Sequence, residues 1–364
     1  MTADAPPVRR ITAFAPGRVN LIGDHTDYSG GLVCPMAIDL GTTVSFEVGG
    51  DVVDLTSATQ PGRAVVPLDT TDPALITPTW ARYVAGVIAV LQPGAGAGGV
   101  GEVTTTLPVG GGLSSSAALE VATALALGAR PAVDAASAQR LASLCQHAEH
   151  LATGVPSGIM DQLASVAGVE GHALLIDCAT LTLDLIPVPA DLEVVVVHSG
   201  EVRTLAESGY ADREASVSAA TAFLGRPLAH ATPADVEAIG NPVVRRRARH
   251  VVTENARVRA FGGALSRGAS DEAGALMNAS HASLRDDFEV STPGLDALVA
   301  RLQDTTGVWG ARLTGAGFGG CAVALTRPGA LRVTDFAQAW VVRPSAGARV
   351  VSGAPTHGPG GRTR

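Results

Sequence analysis

The residues with the clearest chemical potential lie in PVGGGLSSSAALEVA (108–122). Gly110, Gly111 and Gly112 let backbone amides approach an anion closely, because no Cβ stands in the way. Ser114, Ser115 and Ser116 fall at the cap and first turn of the helix that follows. The open N–H groups and dipole of that turn then face whatever occupies the loop, which makes a phosphate cradle that needs no lysine. A Gly-rich turn with a serine cap has the same composition. Three consecutive serines exceed what one cap requires, and hydroxyls also ligate Mg2+. Arg18, Asp24, His25 and Asp27 stand within ten residues in GRVNLIGDHTDYSGG (17–31), a segment expected to be a loop. Carboxylates and imidazole so close together suit a sugar, whose hydroxyls need charged, multivalent partners. A solvated polar turn uses the same residue types. Asp161 falls in the first turn of a short helix after Pro156-Ser157-Gly158, where a carboxylate complements the helix N-terminus. Glu149 lies about 80° from the centre of its helix's apolar stripe, so it faces either a cleft or solvent. Trp80 sits on an apolar helix, the common position of a core tryptophan.

The elements that must hold these residues follow from periodicity and turn signals. Strands are expected at 11–16, 42–49 and 102–108, with helices at 79–91, 114–127, 135–151 and near 158–166. The helix at 114–127 is apolar on nearly all sides and is therefore buried. Strands near 172–178, 181–187 and 192–198 lead into helices at 205–224, 242–265, 269–287 and 293–303. Strands near 308–314 and 320–326 flank the glycine loop TGAGFGG (314–320). Strands and helices mix without regular βαβ alternation, which predicts an α+β fold. Two lobes are expected, 10–187 and 188–351, with loose tails at 1–9 and 352–364.

Composition removes whole classes of chemistry. All 26 basic residues are Arg, and the chain has no Lys. A P-loop, a protein kinase, a pyridoxal-phosphate enzyme and a Schiff-base aldolase all need a lysine, so none can be built here. The net charge is −8, from 26 Arg against 34 Asp and Glu, which disfavours a nucleic-acid partner. Cys34, Cys145, Cys178 and Cys321 form no metal-ligand spacing and read as small core residues with free thiols. No apolar run approaches membrane-spanning length, and the first residues carry no apolar stretch of a signal peptide. The expected setting is cytoplasmic, with no membrane partner.

The segment around Ser114–Ser116 resembles the nucleotide loop of the GHMP small-molecule kinases. GRVNLIGDHTDYSGG (17–31), GVPSGIMDQLASVAG (154–168) and LTGAGFGGCAVAL (313–325) are similar to the galactokinase branch of that family. RARHVVTENARV (247–258) and SHASLRDDFEVSTPGLD (280–296) resemble further stretches of it, in the same order. The resemblance implies a two-lobed GHMP kinase fold with its active site in the cleft between lobes. It implies transfer of the ATP γ-phosphoryl group to the 1-hydroxyl of α-D-galactose; a monomer is expected. In that frame Asp161 faces the anomeric hydroxyl, with Arg18 beside it. Asp27 holds the 3- and 4-hydroxyls, Asp24 and His25 hold the 6-hydroxyl, and Gly158 and Tyr210 complete the sugar contacts. ATP is held by Gly110, Gly111, Gly112, Leu113, Ser114, Ser115, Ser116 and Ala117, by Trp80 near the adenine, and by Gly315 and Gly317. Glu149 holds Mg2+ together with Ser115 or Ser116. Two positions depart from the family's pattern: Asp24 replaces its usual Glu, and Arg203 stands where many relatives have His. Asp24 keeps a kinase for a related sugar in view, such as N-acetylgalactosamine or a pentose. A non-catalytic sugar sensor is the other alternative, against which the intact Ser114–Ala118 stand.

Overall fold

The computed structural model describes residues 9–108, 110–201 and 206–352. The first half comprises β1 (Arg10–Asn20), β2 (Leu32–Val33), β3 (Pro35–Val48), β4 (Val52–Ser57), β5 (Arg63–Pro67), α1 (Ala81–Leu91), β6 (Gly99–Thr105), α2 (Ser115–Ala126), α3 (Ala135–Thr153), α4 (Met160–Ala167), β7 (His172–Asp177) and β8 (Thr182–Pro187). The second comprises β9 (Glu193–His198), α5 (Ala206–Leu224), α6 (Pro233–Glu237), α7 (Pro242–Ser266), α8 (Ser270–Asp286), α9 (Pro293–Gln303), β10 (Val308–Thr314), β11 (Cys321–Thr326), β12 (Ala339–Val342) and β13 (Arg349–Ser352). Arg203 lies outside the described residues.

Three sheets organise these elements. The first is six-stranded, ordered β13-β1-β3-β6-β4-β5, antiparallel except where β4 meets β6. The second has the order β10-β11-β9-β12, and the third β2-β7-β8. Helices α2 and α4 lie on β1 and β3, and α1 and α3 pack over α2. Ala117 through Ala126 of α2 are all buried in that layer. Helices α8 and α9 cover β10. The largest apolar cluster runs from Ala13 and Phe46 through α2 to Val194 and Val196 of β9 and Phe261 of α7, so one core spans both halves.

Two departures from expectation have physical causes. Strand β1 does not stop at residue 16; it continues through Gly17 and Arg18 to Asn20, with a register shift against β3 between Pro16 and Arg18. A Cβ at Gly17 would sit 2.5 Å from the Leu113 carbonyl, so Gly17 serves a close approach of the loop before α2 rather than a turn. Arg18 is therefore a strand residue lying directly under that loop. At the other end, β13 leaves the second half and pairs with β1, covering an edge that would otherwise be open. Pairing also reaches into the expected N-terminal tail, since Val48 N–H donates to the Arg9 carbonyl at 2.8 Å. Residues 1–8 and 353–364 of the expected tails lie outside the described residues. No described helix is long and apolar enough to cross a membrane.

Candidate active site

The loop before α2 turns sharply because three of its residues have left-handed backbone: Gly110 at φ 75°, Gly112 at φ 82° and Ser114 at φ 58°. Ser114 occupies the N-cap position, yet its side chain caps nothing; its Oγ is buried without a partner. The first helical bond is Ala118 N–H to the Ser114 carbonyl. Ser115, Ser116 and Ala117 N–H have no hydrogen bond among the described residues. This is a turn with unspent donors and a positive dipole end, the arrangement that binds phosphate. The serine-cap reading of the three serines fails on the Ser114 geometry.

Arg18 ties this loop to Asp161. Its Nη1 donates to the Gly112 carbonyl at 2.6 Å, and its Nη2 lies 2.6 Å from Asp161 Oδ1. Arg18 is buried and Asp161 half-buried, in the first turn of α4. Glu149, on α3, turns toward the cleft. Its Oε1 accepts from Ser116 Oγ at 2.9 Å, and its Oε2 accepts from Ser157 Oγ at 2.9 Å and Gln162 Nε2 at 2.8 Å. Gln162 also donates to Glu120 at 3.1 Å, a fully buried carboxyl of α2. Burial, and then the charge of Glu149, push the Glu120 carboxyl well above the usual range.

The residues expected at the sugar converge at the opposite end of Asp161. Burial, and then the Asp161 charge, raise the Asp27 carboxyl to about 7. Gly158 lies so near Asp27 that an added Cβ would collide with the carboxylate. Tyr210 of α5 stands with its ring 5.7 Å from that of His25 and 5.5 Å from that of Tyr28. His25 itself has left-handed backbone at φ 65°. Burial lowers its imidazole to about 4, so the ring is neutral near pH 7. Nε2 lies 3.1 Å from the Ala316 carbonyl and must carry the proton, because a carbonyl only accepts. Nδ1 then accepts from Tyr28 Oη at 3.1 Å. Asp24 is buried too: Oδ2 accepts from Arg312, and Oδ1 accepts Gly315 N–H at 3.0 Å.

These groups line one cavity of about 610 Å³, a size that suits small-molecule ligands. Arg18, Asp24, His25, Asp27, Trp80, Gly110, Gly112, Ser114, Ser115, Ser116, Glu149, Gly158, Asp161, Tyr210 and Gly315 all reach its wall. Gly111, Leu113, Ala117 and Gly317 stand behind it; Gly317 instead packs against Val290. The Trp80 indole caps one end, with Nε1 donating to the Pro61 carbonyl at 3.1 Å. Around it lie Ser57, Thr59, Gln60, Tyr83, Val103 and Thr105, which sequence reading did not single out. The signal was present, because VVDLTS and RAVVP alternate on either side of Pro61-Gly62, a hairpin pattern. Gln162 was equally legible as the residue after Asp161. Arg312 was marked only by a charge inside an apolar strand.

The galactokinase galactose-binding signature matches residues 3–48, the GHMP kinase N-terminal domain 82–169 and the GHMP kinase C-terminal domain 263–340. The chain is 44% identical to human galactokinase over 327 residues, covering 86% of this chain and 83% of that one. It is 41% identical to the galactokinase of Roseiflexus sp. (strain RS-1) over 344 residues, covering 91% and 87%. Lactococcus lactis galactokinase complexed with galactose superposes with a TM-score of 0.83 at 34% identity, over 93% of this chain and 95% of that one. A mevalonate kinase shares the fold alone, with a TM-score of 0.64 at 19% identity. On signature, identity and fold together, this chain belongs to the galactokinase family of the GHMP kinases.

Proposed function

We propose that the protein transfers the γ-phosphoryl group of ATP to the 1-hydroxyl of α-D-galactose, releasing galactose 1-phosphate and ADP. The observation that carries this reading is the double engagement of Arg18, on the Gly112 carbonyl and on Asp161. It puts one guanidinium between the open amide turn and the carboxylate that meets the acceptor. The triphosphate lies on the N–H groups of Ser115 and Ser116, with Ser114 Oγ as a further partner and the adenine near Trp80. The bond from sugar O1 to Pγ forms as the bond from Pγ to the β–γ bridging oxygen breaks. Arg18 stabilises charge on the transferring group. Asp161 has Oδ1 on Arg18, which leaves Oδ2 to orient the hydroxyl and take its proton. In a loose transition state the proton leaves late, so orientation and charge are the larger part of its role.

The residues present fit Mg2+. Ser116 Oγ and Glu149 offer hard oxygens side by side next to the phosphate turn, with Ser115 adjacent. Among the described residues no group of three or more His, Cys, Asp or Glu could hold a metal by itself. A cation that shares its shell with phosphate and water suits such a sparse donor set. When bound it supplies neutralisation of phosphate charge. At the sugar end Asp27 takes the 3- and 4-hydroxyls, Gly158 leaves the space for them and Tyr210 walls the ring. The division into lobes near residue 187 follows the sheets: β2-β7-β8 and all of the six-stranded sheet but β13 precede it, and β10-β11-β9-β12 follows it. Cys34, Cys145 and Cys178 form no disulfide, in keeping with a cytoplasmic setting.

The test is ADP release with MgATP over a panel of free sugars. Galactose should be turned over, and glucose should be much poorer. Asp161→Asn should lower kcat by about 10²–10⁴-fold while galactose and ATP still bind. A folded, ATP-binding sample that releases no ADP with galactose would remove the assignment.

A further inference from the structure

Arg312 is the largest side chain that the described fold buries completely, at 0% exposure, and it lies on β10, just ahead of the second glycine loop. Its Nη2 holds Asp24 Oδ2, and its Nη1 lies 3.5 Å from the Asn20 carbonyl. Two neighbours of Arg312 on the same stretch reach the same segment. Thr314 Oγ1 donates to the Asn20 carbonyl at 2.9 Å, and Gly315 N–H donates to Asp24 Oδ1 at 3.0 Å. His250 Nε2 donates to the Asp24 carbonyl at 3.1 Å. Asp24 is thus fixed at both carboxylate oxygens and at its backbone, it lines the cavity, and each carboxylate oxygen has accepted only one hydrogen bond from the protein.

We propose that Arg312 is a positioning residue for sugar specificity: it aims the Asp24 carboxylate so that Asp24 alone reads the sugar's 6-hydroxyl. This rests on the galactokinase reading of the site. Of the two residues that the family resemblance puts at position 6, His25 has both ring nitrogens occupied, by Tyr28 and by Ala316. Only Asp24 has acceptor capacity to spare. Its shorter side chain makes that contact depend on where the carboxylate is held, and a buried ion pair with a planar, two-donor guanidinium fixes the position as a lysine cannot.

The experiment compares kcat/KM for galactose with that for 6-deoxygalactose, as a ratio within one sample. The ratio does not depend on how much of the sample is folded, so a purely structural role would leave it unmoved. The wild type should prefer galactose by at least ~10-fold, as expected when a buried acceptor would otherwise lose its partner. Arg312→Lys should bring the ratio to within ~3-fold of one, mainly through a higher KM for galactose, because the ammonium is a shorter, single-point donor. Should that variant fail to fold, Arg312→Gln, which leaves Asp24 in place and keeps one planar amide donor, should give the same collapse. A folded variant that keeps the wild-type ratio overturns the proposal. A wild-type ratio near one, with galactose still phosphorylated, also overturns it and leaves the kinase reading standing. Absence of galactose turnover in the wild type would instead remove the reading on which it rests.

Discussion

At the scale of single residues, the site holds charges in states they would not adopt in water. Asp27 is the clearest case. With its carboxyl raised to about 7 in the folded protein, against an unfolded value of 3.8, the native state binds more protons than the unfolded chain between those two pH values. Stability from this group is therefore greatest at acid pH and is lost as pH rises through about 7. Above that point an ionised Asp27 sits against Asp161 with little water to screen it. In its proposed role Asp27 accepts from sugar hydroxyls in the ionised form, so stability would be given up for binding. Two measurements check this. Without sugar, Asp27→Asn should melt above the wild type at pH 8, by about 1–2 kcal/mol after discounting for a half-buried site, and the gain should shrink as pH falls and vanish below the unfolded value of 3.8. In the wild type, kcat/KM for galactose should fall as pH drops below about 7. A melting difference that is flat with pH would show that Asp27 is not strained in this way.

At the scale of elements, the site depends on how closely helices and strands approach. Gly86 of α1 faces Ala148 of α3, and a Cβ there would collide with the Ala148 carbonyl. Ala148 precedes Glu149, so the spacing of α1 and α3 sets where that carboxylate stands. Gly86→Ala should cost about 1–3 kcal/mol by overpacking. It should also raise KM for MgATP several-fold, because a small displacement of α3 moves Glu149 away from Ser116. Unchanged melting and unchanged KM would separate Glu149 from the nucleotide site. The long elements were legible in the sequence because period-3.6 and period-2 patterns persist over enough residues to show. The helix at Ser115–Ala126 and the strands flanking the second glycine loop fall where those patterns indicate. Strands β2, β12 and β13, of 2, 4 and 4 residues, are too short for any periodicity to register. The β1 extension was hidden for another reason. Gly17 resembles a turn residue, whereas its role is to let the Leu113 loop approach, a fact set by a segment about ninety positions away.

At the scale of the whole molecule, the cavity is made by convergence from distant parts of the chain. The four site segments were recognisable separately, and their chemical types announced phosphate, sugar and acid. What local pattern does not carry is which partners meet: Arg312 finds Asp24 across 288 positions, and Arg18 finds Gly112 across 94. The folded arrangement gives the site a direction. In the proposed reading the turn before α2 and Trp80 take the nucleotide, Arg18 and Asp161 the reacting atoms, and Asp27, Tyr210, Asp24 and His25 the sugar. A sugar bound in that order presents its anomeric oxygen to Asp161 and its sixth carbon to Asp24. The central claim is therefore positional, and 31P NMR of the sugar phosphate formed from MgATP and galactose tests it most directly. The account predicts a single product with phosphorus on the anomeric oxygen of the α-anomer, seen as coupling of phosphorus to H1. Phosphorus coupled instead to the H6 protons, or ADP accumulating with no sugar phosphate, would contradict it.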